Sequence, residues 1–189
     1  MKENIVQTAL SEIMQRGLRF SIRDLASQLG ISTKTVYQYF ESKEQIIGYI
    51  IEQSIAEMKQ TETELYSDNS LSIQQKLRSA LVLLPRGYVF MDVRLLHELK
   101  QRYPEQWKAV DHYINHGWDT IRLLVKKGVE SGDYRPIDLE LLIQMYIGAL
   151  HRLMNGQVKA DKGLSLEKAL VSMVDILLVG ITNRQGDKY

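Results

Sequence analysis

The sequence of 189 residues contains no cysteine. Without thiols the protein has neither a disulfide framework nor a thiolate metal site. Residues 1–4 begin no apolar run of the kind found in signal peptides, so we expect a cytoplasmic protein. Gln144 and Asp175 interrupt the two stretches that come nearest to the ~18 apolar residues needed to span a bilayer. We therefore expect no membrane partner.

Sequence signatures of enzymes are absent as well. The chain has no glycine-rich phosphate-binding loop, no Gly-x-Ser-x-Gly elbow and no His-Glu-x-x-His pair. Its Asp, Glu and His residues are scattered, without catalytic spacing. We predict that the protein is not an enzyme and that it carries no cofactor.

Net charge is close to zero, but positive charge is concentrated in one segment. The whole chain has 24 basic and 23 acidic residues, a net of +1. From Arg16 to Lys43 the chain has five basic and two acidic residues, a net of +3. A basic segment on a nearly neutral molecule attracts phosphate groups, which points to a nucleic-acid partner.

The same segment carries the start and stop signals of short helices. Ser21, Ser32 and Ser42 each stand just ahead of a helical run, where a serine hydroxyl accepts a hydrogen bond from an unpaired backbone N–H. Asp24, three residues after Ser21, completes the pattern of a capping box. Gly30 follows the first run and favours the left-handed backbone that ends a helix.

Two apolar stripes favour packing of this helix pair, and they consist of Ile22, Leu25, Ala26 and Leu29 and of Ile31, Val36, Tyr39 and Phe40. The remaining face of the second helix carries polar groups suited to DNA, namely those of Thr33, Lys34, Thr35, Tyr37 and Gln38. The pattern predicts a helix-turn-helix. An ordinary helical hairpin with a solvated surface is the alternative, and the basic segment favours DNA binding over it.

A first helix with Ala9, Leu10 and Gly17 precedes a longer series of matching residues, which are Phe20, Ser21, Leu25, Ala26, Leu29, Gly30, Ile31, Ser32, Val36, Tyr37, Tyr39, Phe40 and Lys43. From about Ile5 to Ile51 the chain resembles the DNA-binding domain of the tetracycline-repressor (TetR) family. Tyr39 departs from the pattern, because many members carry histidine before the phenylalanine. The resemblance implies a helix-turn-helix domain over residues 1–47 and a helical domain for effector binding and dimerisation over residues 48–189.

In such a domain the second helix of the motif enters the major groove of double-stranded operator DNA. The candidates for contact with base edges are Arg23, Thr33, Lys34, Thr35 and Gln38. The candidates for contact with phosphate are Ser21, Tyr37, Tyr39 and Lys43.

Apolar periodicity predicts an all-α chain of about nine helices, with no strand pattern and no internal repeat. Besides the helix pair, the predicted helices span residues 2–16, 43–65, 72–84, 88–102, 104–129, 138–155 and 165–181. The last two are apolar around most of their circumference, so each requires cover on two sides. A four-helix bundle with a second copy of the chain supplies that cover, and the resemblance also implies a homodimer. The alternative is burial at the centre of a monomer.

The middle of the chain is rich in large side chains that suit a pocket for a small hydrophobic effector. The candidate ligand-binding residues are Tyr88, Met91, Leu95, His97, Trp107, Tyr113, Trp118 and Tyr146. Tight core packing is the alternative for each of them. His112 and His116 have the i, i+4 spacing of a metal pair, but no carboxylate is fixed beside them, so we predict no metal site.

These observations predict a ligand-responsive repressor that binds a pseudo-palindromic operator as a dimer and is released by an apolar effector. A helix-turn-helix scaffold reused as a protein-interaction module or co-activator is the alternative. The retention of Lys34, Tyr37 and Lys43 favours the repressor. A helical metal-binding enzyme is a third, more distant possibility.

Overall fold

The computed structural model describes residues 1–84, 93–154 and 166–182, and these ranges confirm the all-α fold class. The α-helices are α1 (Lys2–Arg16), α2 (Ile22–Leu29), α3 (Thr33–Tyr37), α4 (Lys43–Ser67), α5 (Ile73–Leu81), α6 (Val93–Arg102), α7 (Pro104–His116), α8 (Asp119–Glu130), α9 (Leu139–Met154) and α10 (Leu166–Ile181). A 3-10 turn, Gly17–Arg19, joins α1 to α2. Among the described helices none is long and apolar enough to cross a membrane.

The predicted helix over residues 104–129 is divided into α7 and α8, which is a correction to the sequence analysis. The Gly117 N–H bonds to the Tyr113 carbonyl oxygen at 2.8 Å, and a side chain at 117 would place its Cβ 2.7 Å from that oxygen. Trp118 then leaves helical geometry at φ −110° and ψ 6°. Its buried indole donates to the Ile114 carbonyl oxygen at 2.8 Å. Apolar periodicity continues across this break, so periodicity alone did not reveal it.

The chain forms two compact units, each with its own core. One comprises Met1–Ala56 and Pro85–Asp111, and the other comprises Glu57–Leu84 and His112–Tyr189. Residues 85–92, 155–165 and 183–189 lie outside the described ranges. Helix α4 contributes residues to both units. The functional boundary between residues 47 and 48 stays a prediction, since packing within a unit does not by itself define a domain's role.

In the second unit α5 packs against α8, and α10 packs against α5 and α9. The core includes Leu77, Leu124, Tyr134, Leu170 and Val174, all almost fully buried. The Tyr134 ring lies so close to Gly128 on α8 that a Cβ there would come within 2.1 Å of a ring carbon. An antiparallel β-bridge joins Tyr134 to Thr182 after α10.

Candidate nucleic-acid interface

The first helix of the predicted motif has the cap that its sequence indicates. The Asp24 N–H donates to the Ser21 hydroxyl oxygen at 3.2 Å, and the Ser21 N–H donates to the Asp24 carboxylate at 2.7 Å. Hydrogen bonds from the hydroxyl and N–H of Ser21 lower the pKa of the Asp24 carboxyl. Gly30 ends α2 in the left-handed region, at φ 63° and ψ 30°. These local bonds set both ends of α2.

The second helix of the motif starts one turn later. Its cap is Ser32, whose hydroxyl oxygen accepts the Thr35 N–H at 3.1 Å. Gln38 follows α3 but keeps helical backbone angles, and its N–H bonds to the Lys34 carbonyl oxygen at 3.2 Å. Val36 is buried, which fixes the rotation of α3 and leaves Lys34 and Gln38 exposed. The helix pair therefore has the predicted polar outer face.

Exposure separates the nine DNA-contact candidates into two groups. Seven of them are exposed, namely Ser21, Arg23, Thr33, Lys34, Tyr37, Gln38 and Tyr39. Thr35 is half-buried, with its hydroxyl 2.9 Å from that of Ser32, and Lys43 is half-buried as well. Tyr37 and Tyr39 leave 52% and 42% of their surface exposed, although tyrosine rings gain from burial. The contact of these two exposed rings with DNA stays a prediction.

Lys43 has internal partners that the sequence analysis did not predict. Its ammonium donates to the Leu18 carbonyl oxygen at 2.6 Å and lies 4.4 Å from the centre of the Phe20 ring. The side chain therefore helps to hold the turn between α1 and α2. Its contact with phosphate stays a prediction.

A buried carboxylate, also missed from sequence, joins α1 to α2. Glu12 has no exposed surface, and its Oε1 accepts a hydrogen bond from Gln28 at 2.5 Å. Its Oε2 lies 3.6 Å from an Arg16 guanidinium nitrogen. The signal in the sequence is its position between Ala9 and Ile13 on the buried side of α1. The hydrogen bond between Gln28 and Glu12 joins α2 to α1 on the buried side of α1 and so stabilises the position of the motif.

The eight effector candidates are distributed over both units. Tyr88 and Met91 lie outside the described residues. Leu95, His97 and Trp107 belong to the first unit, where His97 is exposed and bonds to Gln101 at 2.8 Å. Tyr113, Trp118 and Tyr146 belong to the second unit.

The structure brings two of these candidates into direct contact. The rings of Trp118 and Tyr146 meet edge to face, with centres 5.0 Å apart. The Tyr146 hydroxyl donates to the Leu81 carbonyl oxygen at 2.5 Å, and burial raises its pKa. Both side chains belong to the hydrophobic core of the second unit. Trp118 and Tyr146 therefore contribute to core packing, and their contact with a ligand stays a prediction.

Glu62 is a polar group near this cluster that the sequence analysis missed. Its half-buried carboxylate accepts a hydrogen bond from the Tyr113 hydroxyl at 2.5 Å. Burial raises the pKa of Glu62, while the bond from Tyr113 opposes part of that rise. The only signal in the sequence is its place on the long helix α4, four residues after Met58.

His112 and His116 pack face to face, with ring centres 4.5 Å apart. His116 Nδ1 lies 3.1 Å from the His112 carbonyl oxygen. Across the described ranges no group of three or more His, Cys, Asp or Glu side chains is placed to hold a metal ion.

Helices α9 and α10 present an exposed aliphatic surface, which we call the α9–α10 face. It consists of Leu141, Met145, Ile176 and Val179. Ile176 and Val179 expose 74% and 73% of their surface. Gly148 and Gly180 lie on the same helices with open space where a Cβ would stand. These helices were predicted to be apolar around most of their circumference, and some of their apolar side chains are exposed on the surface of this chain.

A capped helix pair with an exposed polar second helix is the architecture of the helix-turn-helix class of DNA-binding proteins. Residues 5–50 match the family model described as bacterial regulatory proteins, tetR family. The uncharacterized HTH-type transcriptional regulator YvaF of Bacillus subtilis (strain 168) is 33% identical over 182 residues, which is 96% of each chain. The protein belongs to the TetR family of transcriptional regulators.

Solved structures of the same fold contain different ligands. FadR from Bacillus subtilis, in complex with stearoyl-CoA, has a TM-score of 0.62 and 22% identity, and the match covers 96% of this chain and 100% of that one. A putative transcriptional regulator from Saccharomonospora viridis, in complex with choline, has a TM-score of 0.72 and 20% identity, covering 97% and 98%. At these identities the likeness shows the fold alone.

Proposed function

We propose that this regulator is a repressor that binds a pseudo-palindromic operator as a dimer and is released by a small apolar effector. The observation that carries the proposal is the exposed polar face of α3. Caps at Ser21, Gly30 and Ser32 fix the ends of the helix pair, α2 and α3, to which this face belongs. Those caps hold the backbone in place before DNA is met. A preorganised face reads sequence at a lower entropic cost than a flexible one.

The exposed candidates divide by chemistry into base and phosphate contacts. Gln38 and Lys34 carry an amide and an ammonium that reach base edges in the major groove, with Arg23 approaching from α2. Tyr37 and Tyr39 offer hydroxyls to phosphate. Ser21 and Lys43 already make internal hydrogen bonds, so phosphate contact there requires those bonds to be shared.

The proposed dimer forms through the α9–α10 face. Large aliphatic side chains that remain exposed on two helices suit an interaction site, and a two-fold axis allows one such surface to cover itself. The open space at Gly148 and Gly180 permits close approach of a partner helix. Two chains then place two α3 helices in successive major grooves, about 34 to 36 Å apart.

The proposed effector binds among the middle helices. The relatives solved with stearoyl-CoA and with choline support a small-molecule ligand, and the acyl chain supports an apolar one. The aromatic pair Trp118 and Tyr146 supplies apolar surface in the second unit, and Glu62 supplies a polar group. Tyr113, which bonds to Glu62, offers both an apolar ring and a polar hydroxyl.

Helix α4 is the proposed lever between effector and DNA. It has 25 residues and no proline, a length of about 37 Å at 1.5 Å per residue. It begins at Lys43, beside the DNA-reading pair, and contains Glu62 near its end. Because binding linkage is reciprocal, operator must weaken effector binding by the factor by which effector weakens operator binding.

The test is selection of bound duplexes from a random-sequence library by the wild-type protein. We expect an enriched site with two inverted half-sites whose centres are one helical turn apart. Hydrophobic compounds that quench Trp107 or Trp118 fluorescence are then titrated against the complex, and those that bind should release the DNA. An unstructured pool without enriched sequence would refute the operator. Binding of quenchers without release would refute the lever.

A further inference from the structure

The turn between α1 and α2 is held by side chains from far along the sequence. Glu98 on α6 accepts a hydrogen bond from the Leu18 N–H at 3.1 Å. Lys43 on α4 donates to the Leu18 carbonyl oxygen at 2.6 Å, and the Tyr103 hydroxyl donates to the same oxygen at 3.4 Å. We call these three contacts the Leu18 clamp. Both backbone polar groups of Leu18 are thereby bound to side chains 25 to 85 positions away.

The clamp lies over a tightly packed apolar region. The Leu18 side chain is only 2% exposed and shares its surroundings with Ile13 on α1, Ile47 on α4 and Leu99 on α6. The cavity that these side chains enclose measures about 10 Å³, room for one water molecule at most. This part of the first unit is therefore closely packed beneath the clamp.

The neighbouring residues are adapted to the Glu98 carboxylate. Gly17 has φ +69°, and a Cβ there would stand 2.9 Å from Glu98 Oε2, so glycine admits the carboxylate to the turn. Glu98 Oε1 lies 3.3 Å from Arg102 Nε and 3.8 Å from Arg19 Nε. The Leu18 N–H bonds to Glu98 Oε2, and two guanidinium groups lie close to Oε1, so the charge of this mostly buried carboxylate is compensated.

We propose that Glu98 is a positioning residue for DNA binding. Leu18 stands three residues before Ser21, the cap of α2, so the Leu18 amide determines where α2 leaves α1. Helix α3 packs on α2, and its exposed face follows any displacement of that helix. Helix α6 thus acts as part of the DNA-reading unit, although it lies well beyond the predicted boundary at residue 47. This role requires neither an effector nor a particular dimer.

The test compares binding to two fluorescent duplexes, one selected from random sequence by the wild-type protein and one scrambled. Glu98→Ala should weaken binding to the selected duplex about tenfold, because a hydrogen bond to a charged group is lost, and should change binding to the scrambled duplex much less. Glu98→Gln keeps an acceptor for the Leu18 N–H and should recover most of the affinity. Glu105→Ala is the matched control, since Glu105 pairs with Lys108 on an exposed surface.

Binding is measured well below the melting temperature of each variant, as found by circular dichroism. A residue that only stabilises the fold would lower that temperature and leave the ratio of the two affinities unchanged. Should Glu98→Ala fail to fold, Tyr103→Phe removes another bond of the clamp and should lower the ratio by about threefold.

An unchanged ratio in the folded variants would overturn the positioning role alone. Wild-type protein that selects no sequence would instead refute the operator proposal, and the positioning role with it.

Discussion

Two exposed surfaces of this protein differ in chemistry. The face of α3 presents hydroxyls, an amide and an ammonium, together with the exposed rings of Tyr37 and Tyr39. The α9–α10 face presents aliphatic side chains and glycine gaps. Directional polar groups discriminate between base edges, whereas aliphatic burial contributes about 25 cal/mol per Å² without discrimination. The first surface suits a partner that must be read, and the second suits a partner that is always the same, such as a second copy of the chain.

The difference also appears in what supports each surface. The α3 face rests on caps, on the buried Glu12 and on the Leu18 clamp, so polar bonds fix its position. The α9–α10 face rests on a core of apolar contacts, including half-buried Leu150 and Leu177 behind it. Changes to the two surfaces should therefore have separable effects.

The largest expected effect comes from placing a charge on the α9–α10 face. Ile176→Asp should give folded monomers whose operator affinity falls about 10²- to 10⁴-fold, because linked half-site binding is lost. Ile176 is a better site for this change than Leu150 or Leu177, which pack against the core. The measurement is operator titration by anisotropy, with helical content followed by circular dichroism.

Leu123→Asp is the matched control, because Leu123 is an exposed leucine on α8 outside the face. It should leave dimerisation and operator binding intact. Equal losses in both variants would mean that any added charge is harmful and would remove the special status of the α9–α10 face.

The next effect concerns the reading surface. Gln38→Ala should weaken binding to the selected operator by roughly 1 to 3 kcal/mol while sparing non-specific DNA, since one base contact is removed. Gln7→Ala, on an exposed part of α1, is the control and should have no effect on either. Equal losses on every sequence would contradict base reading by Gln38. Dimerisation should be unchanged in both variants.

A smaller effect is expected from removing a cap that supports the α3 face. Ser21→Ala should lower the free energy of unfolding by about 0.5 to 2 kcal/mol, because the Asp24 N–H loses its acceptor. Ser27→Ala, exposed inside α2, should change it much less. Chemical denaturation of the two variants measures the difference. A stability loss confined to Ser27→Ala would contradict the capping account.

The smallest expected effect lies at neither surface: it is the change with pH in the contribution of Glu62 to stability. Because burial raises the pKa of Glu62, the folded chain holds this proton more tightly than the unfolded chain does, and stability falls as pH rises from the model-peptide value of 4.5 through the folded pKa. Glu62→Gln should therefore stabilise the protein at neutral pH, by less than about 1 kcal/mol because the group is half-exposed, and not at pH below 4.5. Thermal melts across this range measure it.

Glu64→Gln, exposed on the same helix, provides the control and should change stability little at any pH. A gain for Glu62→Gln that is equally large in acid would contradict burial as the cause.

Local signals predicted the motif well. Ser21, Ser32 and Gly30 act through bonds within five residues, so their spacing is readable from sequence and the structure confirms each cap. The capping box that Ser72 and Gln75 form at the start of α5 depends on equally local bonds.

Long-range polar pairs were not predictable in this way. Glu98 meets Leu18 across 80 positions and Glu62 meets Tyr113 across 51, and neither pairing leaves a periodic trace. The inward bond of the Lys43 ammonium could not be predicted for the same reason, because its partner, the Leu18 carbonyl oxygen, is 25 positions away. The break at Gly117 was hidden by apolar residues on both sides, since periodicity registers burial and not backbone angles.

The central claim is that the two surfaces bind two different partners, DNA at the α3 face and a second copy at the α9–α10 face. Sedimentation velocity of wild-type protein with a labelled operator duplex, at about 50 mM and about 200 mM salt, tests it most directly, because phosphate contacts weaken steeply over that range whereas aliphatic contacts do not. The account predicts two chains on each duplex at low salt, and free duplex beside an intact protein dimer at higher salt. A single chain on the duplex, or a dimer that dissociates with salt as the DNA does, would contradict it.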